Sequence, residues 1–352
     1  MSEISLKIDG QEIKLEKGKT LLQACQELGL DIPTLCYHPR VEIAGACRVC
    51  MVEDKKSGQL VASCALEASE GMEIETESPR VVEARRLVLD LLLASHDVDC
   101  FACERNGDCR LQDYAYRYGI EGTSFSGEKP EFSVDDDNPF FERDYNRCIQ
   151  CGLCVRACHE IPQVGAIDFA NRGFASQVAT PFHVGLEDST CVFCGRCIEM
   201  CPVGALTPHL DKFSGRPWEI KKTRTTCSYC GVGCQIELRV KDDQVIGVDA
   251  YEDTVPNYGD LCVKGKFGWD YIHHPERLTS PLIRKEGELV PVTWEEALDY
   301  TVQKLKSIKE EHGGKALGGL TSAKCTNEEN YLFQKFVRTA LATHNIDHCA
   351  RL

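Results

Sequence analysis

The chain has 352 residues, a formal net charge of −15 and 22 cysteines. The acidic balance argues against nucleic acid as a partner, because binding to a phosphate backbone requires a basic surface. No apolar run reaches the ~18 residues of a membrane span, and the first residues lack the basic and apolar parts of a signal peptide. Cysteine at this density without an export signal predicts metal or redox chemistry in the cytoplasm rather than a disulfide framework.

Residues 1–77 have the pattern of a small β-grasp ferredoxin. Apolar residues alternate on both sides of the Asp9-Gly10 turn signal, and Thr20 and Gln23 have the spacing of a capping box at a helix start. Cys25 falls in the apolar stripe of that helix. We therefore expect Cys25 in the core rather than on a metal.

Four further cysteines of this segment have a long-short-long spacing, and they are Cys36, Cys47, Cys50 and Cys64. Thiolates are soft ligands that suit iron–sulfur clusters, and a [2Fe–2S] cluster takes four of them. The small residues of the loop before Cys47 let backbone N–H groups approach the sulfides. A zinc site is the alternative, but this spacing on a β-grasp pattern is not typical of zinc.

A second group lies at the end of a helical segment, residues 78–118. Ser78-Pro79 is an N-cap followed by a proline at the first helical position, and the apolar stripe leads to His96. The group consists of His96, Cys100, Cys103 and Cys109. We expect a [4Fe–4S] cluster with His96 as fourth ligand, since no spare cysteine is near; the alternative is an ordinary helix-end histidine. An imidazole ligand makes a cluster less negative and shifts its potential upward.

Residues 119–140 lack periodicity and are expected to be a linker, after which residues 141–210 repeat the motif Cys-x2-Cys-x2-Cys-x3-Cys. In two-cluster ferredoxins the fourth cysteine of each run ligates the other cluster. One [4Fe–4S] cluster is therefore expected on Cys148, Cys151, Cys154 and Cys201. The other is expected on Cys191, Cys194, Cys197 and Cys158. Cys201 is followed by the usual proline and Cys158 by His159, which casts doubt on the geometry of the second turn but not on ligation.

A connector at 211–222 precedes a further [4Fe–4S] domain at 223–277. Its ligands are predicted to be Cys227, Cys230, Cys234 and Cys262. Strands are expected at 235–240 and 244–248. Lys264 stands two residues after the last ligand, and a solvated surface lysine is the bland interpretation of it. The other two cysteines, Cys325 and Cys349, have no local partners and are expected to be unligated.

From residue 278 the pattern changes to that of an α/β domain. Thr293 and Glu296 have capping-box spacing and open a helix expected to end near residue 311. A short strand is expected at 316–320, and Thr326 opens a helix to about residue 341. The whole chain is thus predicted to be an α+β multidomain iron–sulfur protein. It would consist of a β-grasp [2Fe–2S] ferredoxin, a helical domain whose [4Fe–4S] cluster has one histidine and three cysteine ligands, a ferredoxin-type domain with two [4Fe–4S] clusters, a further [4Fe–4S] domain and the start of an α/β domain.

These motifs carry a resemblance to known families. The order of the first four sites resembles the electron-input half of the large iron–sulfur subunit of complex I and of iron-only hydrogenases. The part from Cys227 onward resembles formate dehydrogenases that contain molybdenum or tungsten bound by two molybdopterin guanine dinucleotides (bis-MGD). The stretches that carry this resemblance are Cys-Ser-Tyr-Cys-Gly-Val-Gly-Cys at 227–234, Leu-Cys-Val-Lys-Gly-Lys-Phe-Gly-Trp at 261–269, Lys-Cys-Thr-Asn-Glu-Glu-Asn-Tyr at 324–331 and Asn-Ile-Asp-His-Cys-Ala-Arg-Leu at 345–352.

The resemblance implies a cytoplasmic enzyme that interconverts formate and CO2. Residues 223–277 would be the [4Fe–4S] domain of the Mo/W-bis-MGD type and 278–352 part of the molybdopterin oxidoreductase domain. Lys264 matches the lysine that lies between cluster and pterin in the family, which places it on the electron path. The N-terminal clusters would suit a flavin- and NAD(P)-binding subunit, a hydrogenase or a ferredoxin as partner.

In the same family, Cys-Ala-Arg and an apolar residue are followed at once by the metal-ligating cysteine or selenocysteine. Here the sequence stops after Cys349–Leu352. We therefore expect a UGA codon read as selenocysteine at the next position, and no formate activity from these 352 residues alone. A split gene and a genuine short electron-transfer subunit are the alternatives, and the codon after Leu352 distinguishes them.

Two other classes of function remain open. One is a non-catalytic electron-transfer subunit of the complex I type, against which Lys264 and the stretches at 325–330 and 349–352 argue. The other is a hydrogenase-associated subunit, which would need further cysteine motifs for a hydrogen-activating cluster, and none is left to supply one.

Overall fold

The computed structural model describes residues 3–252 and 254–349, and the chain divides into two compact units, Met1–Ile220 and Lys221–Leu352. The motif residues 350–352 and the side chain of Cys349 lie outside the described residues. Every cysteine from Cys25 to Cys325 has a free thiol. In the described parts of the chain, no helix is both long and apolar enough to cross a bilayer.

The N-terminal part of the first unit is a five-stranded mixed sheet in the order β2-β1-β5-β3-β4. Its strands are β1 (Glu3–Ile8), β2 (Gln11–Glu16), β3 (Met51–Asp54), β4 (Gln59–Ala62) and β5 (Glu73–Glu75). Strands β1 and β5 are parallel and the other pairs antiparallel. Helix α1 (Leu21–Glu27) begins at the predicted Thr20–Gln23 capping box. Cys25 is fully buried with the sheet's core residues, as predicted.

Two helices follow the sheet, α2 (Pro79–Ser95) and α3 (Arg110–Arg117). The Ser78 hydroxyl accepts from the Val81 amide at 3.3 Å, which confirms the predicted N-cap. Residues 119–140, all of them described, form no helix or strand, as expected for the linker.

The repeat region is built from very short elements. They are β6 (Phe141–Arg143), α4 (Leu153–Glu160), β7 (Asp168–Ala170), β8 (Gln177–Ala179), α5 (Arg196–Met200) and β9 (Leu206–Pro208). Strand β6 pairs with β9 and β7 with β8. The two halves differ at their fourth cysteine: α4 continues past Cys158, whereas α5 ends before Cys201. Pro202 explains the difference, because a residue that precedes proline is pushed out of the helical region.

The second unit begins with a three-stranded antiparallel sheet and continues into α/β structure. Its elements are β10 (Lys221–Thr226), β11 (Gln235–Lys241), β12 (Gln244–Ala250), α6 (Val263–Phe267), β13 (Leu282–Lys285), β14 (Glu288–Pro291), α7 (Trp294–His312), β15 (Gly319–Ser322), α8 (Asn327–Thr339) and β16 (Ile346–Cys349). Strands β15 and β16 are parallel and α8 connects them. This β-α-β crossover confirms the α/β pattern.

Some local expectations for this unit were wrong in detail. The Thr293 hydroxyl caps the Glu296 amide, but the Glu296 carboxylate pairs with Lys285 at 2.7 Å instead of closing the capping box. The strand expected at 316–320 starts at Gly319. A 3-10 turn at Gly314–Ala316 precedes it, and this turn includes the first residue of the expected strand.

Candidate iron–sulfur centres

The Cys36 group converges on one loop beside the β-grasp sheet. Cys36, Cys50 and Cys64 are buried and Cys47 is half-buried. The Cys47 amide donates to Cys36 Sγ at 3.4 Å, and hydrogen bonds from the Cys47 and Cys64 thiols hold the pKa of Cys36 well below its ordinary value. A hydrogen bond from the Cys64 thiol lowers the pKa of Cys50 to about 6. The same hydrogen bonds raise the pKa of Cys47 and of Cys64, which act as the donors. The site therefore favours the thiolate, the form that binds iron, at Cys36 and Cys50.

The His96 group lies in the loop between α2 and α3 and at the two ends of that loop. Cys103 and Cys109 are buried, and Cys103 interacts electrostatically with both Cys100 and Cys109. His96 is buried, and its Nδ1 has no hydrogen-bond partner among the described residues. Burial lowers the pKa of His96 to about 4, so its imidazole is neutral at pH 7. A neutral imidazole with an unpaired nitrogen fits the fourth ligand of a metal group.

All eight cysteines of the repeat line a single, largely apolar cavity. Burial raises the pKa of Cys148 to about 11 and the pKa values of Cys154 and Cys197 well above the ordinary thiol value. Such a cavity disfavours free thiolates, so only a bound metal group would deprotonate the thiols there. Without a metal group, Cys148, Cys154 and Cys197 are therefore neutral thiols, and it is the convergence of eight cysteines on one cavity that fits metal clusters.

The backbone of the repeat supports this interpretation. Residues 150 and 152 in one half, and 193 and 195 in the other, have positive φ angles, between 50° and 73°. The amides of Gln150 and Phe193 point at Cys148 and Cys191 Sγ, each at 3.4 Å. Successive N–H groups in such turns form concavities that bind anions and iron–sulfur clusters. Only Gly152 and Gly195 take up the left-handed conformation without strain.

Two contacts connect the three sites of the first unit. The Arg156 guanidinium donates to the carbonyl of Cys36 at 2.7 Å and to that of Cys151 at 3.2 Å, which joins the first site to the repeat cavity. A Cβ on Gly204 would lie 2.5 Å from Cys103 Sγ, so only glycine permits the close approach of the His96-group loop to the segment that follows Cys201.

In the second unit, Cys227 interacts electrostatically with Cys230 and Cys262. The Cys227 amide donates to the Cys234 carbonyl at 2.8 Å, which closes the loop that carries the first three cysteines. Lys264 lies in α6 directly after Cys262 and is exposed. Cys325 lies half-buried in the loop between β15 and α8.

Sequence reasoning missed several buried cations near these sites. Arg85, Arg143 and Arg196 are almost fully buried, and Lys266 donates to the Val248 carbonyl at 2.6 Å. The local sequence around these residues does not indicate that they are buried, because only the tertiary structure shows which partners they meet. Within residues 3–252 and 254–349, no three His, Cys, Asp or Glu side chains are arranged so that they could hold a metal ion.

Five family models match the chain in succession. They are a 2Fe-2S iron–sulfur cluster binding domain at 1–79, the NADH-ubiquinone oxidoreductase-G iron–sulfur binding region at 85–123, a 4Fe-4S dicluster domain at 147–205, the molybdopterin oxidoreductase Fe4S4 domain at 220–274 and a molybdopterin oxidoreductase domain at 277–352. The matched domains agree with the predicted fold class.

Curated relatives match almost the whole chain. The G 2 subunit of the NADH-quinone oxidoreductase of Rhizobium meliloti is 39% identical over 99% of this chain, and the alpha subunit of the NADPH-Fe(3+) oxidoreductase of Geobacter sulfurreducens is 38% identical over 99%. A Bacillus subtilis protein provisionally named formate dehydrogenase YrhE is 36% identical over 100%. The chain spans 40% of the length of each of these relatives.

Among solved structures, a chain from the crystal structure of an NAD+-reducing [NiFe]-hydrogenase in the H2-reduced state is 33% identical, with a TM-score of 0.53. The alignment covers 60% of this chain and 90% of that chain. The chain carries [2Fe–2S] and [4Fe–4S] domains ahead of a molybdopterin oxidoreductase domain.

Proposed function

We propose that the chain binds one [2Fe–2S] and four [4Fe–4S] clusters through nineteen cysteines and His96, in the five groups defined above. When bound, such clusters supply one-electron redox chemistry. The residues of the chain bind them, exclude water from them and set the spacing between them. The observation that carries the proposal is the cavity lined by all eight repeat cysteines, with two other predicted sites packed against it.

Iron and sulfide analysis of the anaerobically reconstituted chain tests this assignment. We expect about 18 irons per chain, with one [2Fe–2S] and four [4Fe–4S] signals in EPR spectra of the reduced protein. Replacement of His96 by Ala should alter one [4Fe–4S] signal and leave the [2Fe–2S] signal unchanged. A preparation that takes up zinc but no iron would refute the assignment.

We further propose that the complete protein is a cytoplasmic formate dehydrogenase with Mo- or W-bis-MGD. Its electrons would pass between that site and a partner that binds flavin and NAD(P), or a ferredoxin or hydrogenase. A relative provisionally named formate dehydrogenase and the molybdopterin oxidoreductase matches at 220–274 and 277–352 support this proposal. Lys264, two residues after Cys262 in the first turn of α6, is the residue we assign to the electron path.

Formate addition to the native complex, purified without air, tests this function. Formate should bleach the visible absorbance of the clusters, and Lys264→Met should slow the bleaching without changing the iron content. Lys266→Met is unsuitable as a control because Lys266 is buried, so the more exposed Lys241 is replaced instead. The reconstituted 352-residue chain alone should not respond to formate.

A second candidate function is a complex I-type electron-transfer subunit without formate chemistry. The 39% identity to the G 2 subunit of an NADH-quinone oxidoreductase and the match at 85–123 favour it. A native complex that bleaches with NADH or NADPH but not with formate, and contains neither Mo nor W, would establish this candidate in place of the first.

A further inference from the structure

Arg143 and Tyr145 present unpaired donors beside the cavity that holds the eight repeat cysteines. Arg143 is 4% exposed, and neither its Nε nor its Nη1 has a hydrogen-bond partner among the residues the structure describes. The Tyr145 hydroxyl is likewise buried and unpaired within the described parts of the chain. Both residues line the cysteine cavity.

The orientation of Arg143 is fixed from its other side. Its Nη2 contacts the Asp135 carboxylate and lies 3.2 Å from that of Asp137. Two backbone hydrogen bonds of 2.9 Å join Arg143 and Asp135, and β6 pairs Arg143 with Leu206 of β9. The carboxylates thus hold Nη2, and Nε and Nη1 are left without partners among the described residues.

Arg143 and Tyr145 interact electrostatically with each other and with Asp135, and also with thiols from different halves of the repeat. Arg143 acts on Cys191, which is predicted to ligate the second cluster. Tyr145 interacts with Cys148 and Cys154, which are predicted to ligate the first. The thiols of each half of the cavity thus interact with one residue of the 143–145 segment.

Unpaired buried donors are costly because they lose their hydrogen bonds to water without a replacement, and native proteins rarely retain them. Three such donor atoms at one cavity call for an acceptor inside it. Sulfur atoms of a metal cluster and its thiolates are acceptors, and the cavity is where the eight cysteines would hold them.

We propose that Arg143 and Tyr145 donate hydrogen bonds to the sulfur atoms of the two clusters in the repeat, and thereby raise their reduction potentials. The inference rests on the cluster assignment proposed above. A reduced cluster carries one more negative charge than the oxidised form, so a donor or a cation beside its sulfurs stabilises the reduced form more. Arg143 acts on the Cys191 cluster and Tyr145 on the Cys148 cluster.

Tyr145→Phe is the decisive variant, because it removes one oxygen atom and leaves the ring against Phe132. Arg143→Gln is the companion variant, but it leaves Asp135 and Asp137 without their cation. The controls are Tyr116→Phe, at a tyrosine that is 75% exposed, and Arg172→Gln, at an exposed arginine of the same repeat region.

The measurement is an EPR-monitored redox titration of the reconstituted 352-residue chain, with dithionite as reductant. In each test variant we expect the equilibrium constant for reduction of one [4Fe–4S] cluster to fall about tenfold. This corresponds to a decrease of ~59 mV in its reduction potential for one electron. The signal affected should differ between the two variants. Electron–nuclear double resonance should also show an exchangeable proton coupled to the Cys148 cluster, which Tyr145→Phe removes.

The inference is overturned if the reduction potentials of Tyr145→Phe and Arg143→Gln equal those of the two controls in preparations with full iron content. The cluster assignment would then still stand. A wild-type chain that takes up no [4Fe–4S] clusters would overturn both. Neither result depends on formate as substrate, so the test is separate from the proposed enzymatic activity.

Discussion

Replacement of Arg85 by Met tests how strongly one buried cation joins the [2Fe–2S] domain to the helices that follow it. The Arg85 side chain is fully buried in α2. Its Nε and Nη2 donate to the Met51 carbonyl at 3.1 and 2.7 Å, and its Nη1 donates to the Tyr118 hydroxyl and the Glu77 carboxylate, both at 2.8 Å. Met51 directly follows Cys50, so this network reaches the edge of the predicted cluster site.

The magnitude follows from how deeply each bond of Arg85 is buried. The pair with Glu77 contributes little, because that carboxylate is 49% exposed and exposed pairs contribute about 0–1 kcal/mol. The charged donors on the Met51 carbonyl contribute about 1.5–3 kcal/mol and the bond to Tyr118 about 1 kcal/mol. Met fills much of the same space, so we expect Arg85→Met to lower the free energy of unfolding by about 3 kcal/mol.

Loss of clusters makes unfolding irreversible, so the stability is measured as a rate. Unfolding in guanidinium is followed by the loss of cluster absorbance, and a loss of about 3 kcal/mol speeds it up to about a hundredfold. Arg86→Met is the matched control, since Arg86 is the next residue of the helix and is exposed. If Arg85→Met unfolds within about twofold of Arg86→Met, the buried network does not stabilise this junction.

Two further predictions concern the same unit. Arg156→Met removes the donor that the Cys36 and Cys151 carbonyls share. The magnetic coupling between the [2Fe–2S] cluster and the repeat clusters should therefore weaken in EPR relaxation measurements, and unchanged coupling would contradict this prediction. Because Cys25 is a core residue, Cys25→Ala should keep all iron and lower the free energy of unfolding by about 1 kcal/mol. Cys64→Ser should instead lose the [2Fe–2S] absorbance. Iron loss from both variants would show that Cys25 is a ligand.

Local features of the fold could be predicted from the sequence because short-range chemistry determines them. The Asp9-Gly10 hairpin has both residues at positive φ, the Thr20 capping box is closed by its own side chains, and a helix begins after Thr326. The four short strands of the repeat region could not be predicted. With three residues each, they form where the chain brings distant segments together and carry no periodicity of their own.

The predicted cluster sites show the same division. Spacing alone grouped the cysteines, since each group is local apart from the exchange of Cys158 and Cys201. The residues that surround the sites could not be predicted from the sequence. Arg156 contacts Cys36, 120 positions away, and Gly204 lies against Cys103, which precedes the linker. Only a tertiary structure shows that these ordinary-looking residues contact a cluster site.

Removal of iron should unfold the repeat region and leave the β-grasp sheet intact. Helices α4 and α5 have 8 and 5 residues, too short to be stable alone, and the interior between them is a cavity lined by cysteines. Metal binding therefore supplies much of the free energy that stabilises the folded state of residues 141–210. The β-grasp sheet instead has an apolar core of its own, in which Ile8 and Leu21 are fully buried.

Hydrogen exchange measured by mass spectrometry before and after anaerobic chelation tests this difference. Amides in 141–210 should lose their protection on iron removal, while those of β1 and β2 keep it, because local stability follows local apolar burial. Equal loss in both regions would mean that the [2Fe–2S] cluster, rather than the apolar core, holds the sheet. Protection retained in 141–210 would mean that the cysteine cavity is stable without metal, and the raised thiol pKa values of Cys148, Cys154 and Cys197 would then reflect ordinary core packing.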